Sequence, residues 1–288
     1  MKRLKIFQVL FLLPKKVKQC KVCIDTLGGT NMIITNERLH HLGCYPKELG
    51  KYVLLPGDPK RVEIIAQELD KPKFVADKRE FMSYTGELCG ERVSVVSTGI
   101  GGPSAAIALE ELCDAGVHTV IRVGTCGAHQ PELVPGTLII PNGAVRSEGT
   151  ADSYMPKQFP AVPSYSVMKA LENASKKLEL TVAVGVVDSK DSYYGQHRPR
   201  SMPTRDTLER NMQMWQEAGV LASEMECASI FVVSAVRKIR CGAVLNLCRN
   251  LLREKATGLM NTDFDTHNAI KTAVEALKIL IKEDKDKL

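Results

Sequence analysis

The chain lacks several features that would place it in a special class. It has no apolar stretch long enough to cross a membrane. Ile6 to Leu13 is apolar, but a bilayer-spanning helix needs ~20 such residues. That stretch also lacks a small-x-small cleavage site and runs into Pro14-Lys15-Lys16, which argues against a signal peptide. There is no repeat, no low-complexity tract and no Ser/Gly linker. The nine cysteines are odd in number and irregularly spaced, which argues against a disulfide framework and for a reducing, cytoplasmic setting. Cys20 and Cys23 form a lone C-x-x-C with no second pair at finger spacing, and His40 and His41 do not complete a zinc site.

Net charge is also missing where it would matter. The formal charge is +6, but residues 1–31 hold seven basic residues and one acid, so the remainder is neutral. A balanced body offers no field for a polyanion, so neither nucleic acid nor a membrane surface is expected as partner. We therefore read residues 1–31 as a basic and apolar N-terminal extension and residues 32–288 as one catalytic domain. With 44% hydrophobic and 25% charged residues, the composition is that of an ordinary globular domain with a sizeable core.

The pattern alternates strands and helices. Tyr52 to Pro56 reads as a buried strand, followed by a helix capped by Asp58 and opened by Pro59 that carries Val62, Ile65, Ala66 and Leu69 on one face. Strands are predicted over 81–88, 92–98, 119–123, 137–140, 182–187 and 241–248. Helices are predicted over 104–115, 164–178, 204–218 and 226–236, with a last one starting near Asp263. This predicts an α/β fold, a single-domain three-layer α/β/α arrangement around a central mixed β-sheet. Ligands of such sheets bind beyond the carboxyl ends of the strands.

Five junctions there could carry chemistry. Leu55-Pro-Gly-Asp-Pro-Lys-Arg61 ends a strand and starts a helix; it is either an anion site with Arg61 one turn in, or a plain capped helix. Ser97-Thr-Gly-Ile-Gly-Gly-Pro-Ser104 is glycine-rich, but it has no G-K-[ST] and no acid-ended strand follows at ribose distance. A phosphate- or sugar-facing turn and a structural turn both fit it. Arg122 sits inside an apolar strand, where a guanidinium needs either a carboxylate or an anion; Gly124, Thr125 and Gly127 favour the anion. Asp191 to Arg200 joins rings, an amide and guanidinium groups able to stack and hydrogen-bond a flat heterocycle, and reads equally as a polar surface loop. Ser223-Glu-Met-Glu-Cys227 is predicted to open a helix with two carboxylates on different sides, one for a cis-diol and one to orient an arginine. Helix-dipole preference alone would also place them there.

Together and in this order, Pro56-Gly-Asp-Pro59, Ser97 to Ser104, Arg122-Val-Gly-Thr125 and Glu224-Met-Glu226 resemble the nucleoside phosphorylase superfamily, which includes purine nucleoside and uridine phosphorylases. Within it, Tyr194-Gly-Gln-His-Arg198 resembles the uridine phosphorylase loop. The late loop, Arg249 to Glu254, has no Asp of the kind that hexameric purine enzymes use on the purine N7.

The resemblance implies phosphorolysis of uridine to uracil and ribose 1-phosphate, with inorganic phosphate as co-substrate and no organic cofactor. It implies Gly57, Arg61, Arg122 and Thr125 on phosphate, with Arg79 reaching the phosphate of an adjacent subunit. Met225 and Glu226 would hold the ribose beside Glu224, and His41 would cross to the 5′-hydroxyl. Gln196 and Arg198 would read the uracil, with Tyr193 near the base. Arg122, Gln196 and Arg198 would carry the catalysis. Glu80, Ile100 and Ser104 match positions for a monovalent cation, K⁺, between subunits of a homohexamer built as a trimer of dimers. The family places an Arg soon after the late-loop Asn, whereas here Asn250 precedes Leu251 and Leu252, with Arg253 beyond; Arg200 could share the part of Arg198. The rival readings are a purine nucleoside phosphorylase, a water-using nucleosidase, and a non-catalytic nucleoside-binding protein on the same scaffold. The sequence alone predicts that Arg122→Ala abolishes phosphorolysis and leaves the fold intact.

Overall fold

The computed structural model describes residues 23–25 and 32–287. The extension over residues 1–31 and the pair Cys20 and Cys23 therefore lie outside the described residues, except that Cys23–Asp25 (β1) pairs antiparallel with Met32–Ile34 (β2).

The rest follows in chain order. β3 is Tyr52–Pro56 and α1 is Pro59–Ala66, with the Asp58 carboxylate accepting from the Lys60 N–H at its start (3.0 Å). Then come β4 (Asp70–Lys78), β5 (Phe81–Leu88), β6 (Glu91–Val96), α2 (Gly102–Asp114), β7 (Thr119–Ala128) and β8 (Leu138–Ser147). α3 (Tyr165–Lys177), β9 (Val182–Lys190), α4 (Tyr193–His197), α5 (Arg205–Glu217) and β10 (Ala222–Glu224) follow. α6 (Cys227–Arg237), β11 (Arg240–Arg249), α7 (Leu251–Thr257) and α8 (His267–Lys285) complete the chain.

The main sheet runs β10-β9-β8-β11-β7-β3-β6-β5-β4 and is mixed, as the alternating pattern predicts. One apolar cluster joins α2 and α6 to one face. A second joins α1, α3 and α8 to the other, where Val62, Ile65, Leu171, Ile270 and Leu277 are fully or almost fully buried. The sheet has one feature that the pattern does not announce. β10 pairs parallel with β9 and also antiparallel with β7 (Ser223 opposite Gly127), so β7, β11, β8, β9 and β10 close into a ring.

Several boundaries differ from the predicted ones. The strand of Arg122 continues through Gly127 to Ala128 instead of turning at Gly124. α1 stops at Ala66, although Leu69 still packs into the core. α8 starts at His267, because the Asp263 backbone is held by β11: its N–H donates to the Cys248 carbonyl and its carbonyl accepts from Asn246. β4 is an additional strand, an exposed sheet edge that contains Pro72 and lacks an apolar alternation. The seven described free cysteines include Cys113, Cys126, Cys227, Cys241 and Cys248, all buried.

Candidate active site

The carboxyl ends of β3, β7, β9, β10 and β11, with the loops that leave them, enclose a cavity of about 810 Å³. This is where an open α/β sheet is expected to hold a ligand, and the size suits a small molecule.

One end of the cavity brings two guanidinium groups together beside a glycine loop. The loop after β3 and the glycine loop before α2 are tied together by Thr98 N–H to the Pro56 carbonyl (2.9 Å) and Gly99 N–H to the Gly57 carbonyl (3.0 Å). Gly99 has φ +68°, and a Cβ there would lie 2.7 Å from both the Glu80 side chain and Ser104 Oγ, so only glycine closes this turn. Arg61 and Arg122 both line the cavity with Gly57 and Thr125. Burial, and then the charge of Arg122, lower the proton affinity of Arg61. Two guanidinium groups under mutual strain in a partly desolvated wall are stabilised by an added anion.

Arg122 itself is almost fully buried. Burial works against its charge, but Glu226 and then Glu224 outweigh that and hold the proton more firmly than usual. Its Nη2 donates to Glu226 Oε2, and its Nε lies 3.3 Å from Glu224 Oε2. Nη1 is buried with no partner among the described residues. The carboxylates answer the sequence question in an unexpected way, since both turn to Arg122 rather than to different sides. Glu224 ends β10, and its oxygens accept from the N–H groups of Glu226 and Cys227 and from the Ser189 hydroxyl, so it caps α6. Its carboxylate oxygens are thus engaged by the chain's own donors, which holds Glu224 in place beside Arg122. Glu226 Oε1 accepts from Gly101 N–H (2.6 Å) and links the arginine to the glycine loop.

The other end of the cavity is lined by Tyr193, Gln196, His197, Lys190, Arg249 and Phe264. Ser192 caps the short α4 by accepting from Gly195 N–H (2.9 Å), which turns Gln196 inward. Gln196 Oε1 is buried and has no partner among the described residues, so it is an acceptor open to an N–H group. Arg249 is engaged with Glu254 through two contacts of 2.9 and 2.8 Å. Burial first, and then the cations Lys190 and Arg249, lower the proton affinity of His197.

The sequence profile of the Phosphorylase superfamily matches residues 51–283. The chain belongs to the phosphorylase superfamily. It is 47% identical over 254 residues to a uridine phosphorylase of Treponema pallidum (strain Nichols), covering 88% of this chain and 98% of that one. It is 39% identical to a uridine phosphorylase of Thermococcus kodakarensis, over 86% of this chain and 88% of that one. A guanosine phosphorylase of Halorubrum lacusprofundi is 32% identical, over 84% and 95%.

Most residues that the phosphorylase resemblance singles out line this one cavity: Gly57, Arg61, Glu80, Ile100, Ser104, Arg122, Thr125, Tyr193, Gln196, Glu224, Met225 and Glu226. Three others do not. His41 is held against α2, its Nδ1 2.8 Å from Glu111 Oε1 and its ring edge-on to Phe81. Arg79 is exposed in the β4–β5 turn with φ +57°. Arg198 is exposed and packs its guanidinium over the Tyr194 ring (5.0 Å), outside the cavity, because α4 ends at His197 and turns the next side chain away. Arg200 is likewise exposed beside Glu209. Sequence reasoning missed Lys190, His197 and Phe264 in the phosphorylase cavity. Lys190 follows a β-branched run and carries no motif signal, and Phe264 comes from a loop brought back by the Asp263 contacts to β11.

Among the described residues no group of His, Cys, Asp and Glu is arranged to hold a metal ion, and no helix is long and apolar enough to cross a membrane.

Proposed function

We propose that the protein is a uridine phosphorylase, converting uridine and inorganic phosphate into uracil and ribose 1-phosphate without an organic cofactor. The observation that carries this reading is the arrangement around Arg122. Its guanidinium is fixed by Glu226 and Glu224, keeps an unpartnered Nη1, and shares one cavity with Arg61 and with the unpartnered carbonyl oxygen of Gln196.

The phosphate dianion sits among Gly57, Arg61, Arg122 and Thr125. It is both the nucleophile and the counter-charge to the oxocarbenium character that develops at the sugar. Glu226 accepts from the 2′- and 3′-hydroxyls, and Met225 packs against the ribose, so the anomeric carbon is held over the phosphate. Gln196 accepts the uracil N3–H, beside the ring of Tyr193. The bond from phosphate oxygen to C1′ forms as the C1′–N1 bond breaks. The electron pair leaves on uracil N1, which takes the proton of the hydrogen phosphate. Preorganised donors at the charge that develops are each worth ~10²–10³ in rate.

The reading extends to a homohexamer, a trimer of dimers, working in a reducing cytoplasm. In it, the half-buried His41 and the exposed Arg79 of one protomer complete the site of the next. It also places K⁺ between subunits at Glu80, Ile100 and Ser104. Those residues fit such an ion, because they offer hard oxygen donors and the Ser104 hydroxyl lies 2.9 Å from Glu80 Oε1. Glu80's own backbone N–H, against a burial penalty, and then Ser104 hold that carboxyl below the usual range, so it stays ionised.

The test is uracil release from uridine with and without phosphate, with inosine and thymidine in parallel. Phosphate-dependent release from uridine is expected. Phosphate-independent cleavage would make the protein a nucleosidase, and preference for inosine would make it a purine enzyme.

A further inference from the structure

The base end of the cavity poses a question that the family resemblance leaves open. Arg198, the cation expected at the uracil, is exposed and stacked on Tyr194. Arg249, the other guanidinium there, is tied to Glu254 by two hydrogen bonds. His197 has a lowered proton affinity. A leaving uracil carries a full negative charge spread over its ring and carbonyl oxygens, and none of these three groups is free to meet it.

Lys190 is. It is the last residue of β9 and lines the main cavity with Gln196. The same two side chains also line a smaller cavity of about 220 Å³ behind it, with Asp188, His129 and Trp215, so Lys190 and Gln196 share the wall between the two. The Lys190 ammonium donates to Ser223 Oγ at 3.0 Å and forms no ion pair among the described residues. The acids around it are occupied elsewhere. Asp188 accepts from the Ser147 hydroxyl (2.6 Å) and lies 3.9 Å from His129 Nε2. Glu224 and Glu226 both hold Arg122. An ammonium has three donors, and among the described residues one is used, on Ser223.

We propose that Lys190 is a further catalytic residue of this site, donating a hydrogen bond to a carbonyl oxygen of the departing uracil as negative charge develops there. This rests on the pyrimidine phosphorolysis proposed above. Lys190 keeps its proton throughout, and the N1 proton still comes from the hydrogen phosphate. Burial lowers the proton affinity of Lys190, while Asp188, Glu224 and Glu226 oppose that loss, so the residue is a desolvated cation whose charge is little screened by water.

The experiment compares wild type, Lys190→Met and Lys190→Arg on uridine and 5-fluorouridine, whose base is the stronger acid and needs less help to leave. Phosphate binding is followed by calorimetry and folding by thermal unfolding. Lys190→Met is expected to lose about 10²-fold in kcat/KM on uridine. The loss on 5-fluorouridine is expected to be clearly smaller, with phosphate binding unchanged and part of the activity recovered in Lys190→Arg. A purely structural role would lower both nucleosides equally. Equal losses, or a folded Lys190→Met variant within about twofold of wild type on uridine, overturn the inference. If Lys190→Met does not fold, Lys190→Gln carries the same comparison. Wild-type protein that releases no uracil from uridine and phosphate overturns the parent reading. Wild-type turnover with an indifferent Lys190 variant overturns this inference alone.

Discussion

The two ends of the cavity are built differently. The end proposed for phosphate and ribose stands on strand ends and is closed by buried groups: Glu226 joins Arg122 to Gly101 and donates its N–H to Glu224, which lies in an ion pair with Arg122, while Arg122 Nη1, unpartnered among the described residues, is left open toward the cavity. The base end stands on the five-residue α4, the short α7 and the loop carrying Phe264, and it leaves Tyr193, Tyr194, Leu251 and Phe264 substantially exposed. For the proposed reaction, this puts the grip on phosphate and sugar on strand ends and the choice of base on short helices and loops, the pieces of a fold that vary most readily.

The largest effect expected from this contrast is at the rigid end. Arg122→Ala should remove phosphorolysis below detection. Contrary to the expectation from sequence, it should also destabilise the fold by about 3–5 kcal/mol in denaturant titration, because two buried carboxylates lose their partner. Retained phosphate-dependent turnover would take the oxyanion role away from this arginine. Gln196→Ala comes next. Uridine turnover should fall by about 10²-fold with phosphate binding unchanged, and equal damage to phosphate binding would erase the division into two ends. Arg198→Ala should lower kcat/KM less than about 10-fold, and less than Lys190→Met, since its guanidinium sits on an exposed ring. A larger loss would show that the loop turns it inward in the working enzyme.

The smallest effect concerns pH. Burial, Lys190 and Arg249 lower the His197 pKa from its ordinary 6.5, so the unfolded chain holds a proton there that the folded one releases. Stability should therefore drop as pH falls below about 6.5 toward the folded value, and His197→Gln should lose that part of the slope in thermal unfolding. An unchanged slope in the variant would mean that the base end does not press on this imidazole.

The same contrast explains what could be read from the sequence. Strand-to-glycine-to-helix junctions have strong local grammar, so Gly57, Arg61, the 97–104 turn and Arg122 were legible, as was the alternation that gives the mixed sheet. A carboxylate that orients an arginine was legible at Glu224-Met-Glu226, but not that both carboxylates turn to Arg122, because the partners of Glu224 come from β7, β9 and its own helix start. The position of Arg198 outside the cavity was not legible, because motif order says nothing about where a five-residue helix ends. β4 was invisible because an edge strand with no buried face shows no period. Lys190 was invisible because a lone lysine after a strand has no signature until its neighbours are known.

The ring formed where β10 meets both β7 and β9 has a consequence for how this scaffold can change. Side chains alternate along a strand, so one residue inserted ahead of Glu224 would turn its carboxylate to the opposite face and leave the Arg122 guanidinium facing nothing on that side. A segment of three residues thus acts as the keystone of the whole pocket. Chain length should be far less negotiable between Val220 and Cys227 than in the loops beyond Arg249.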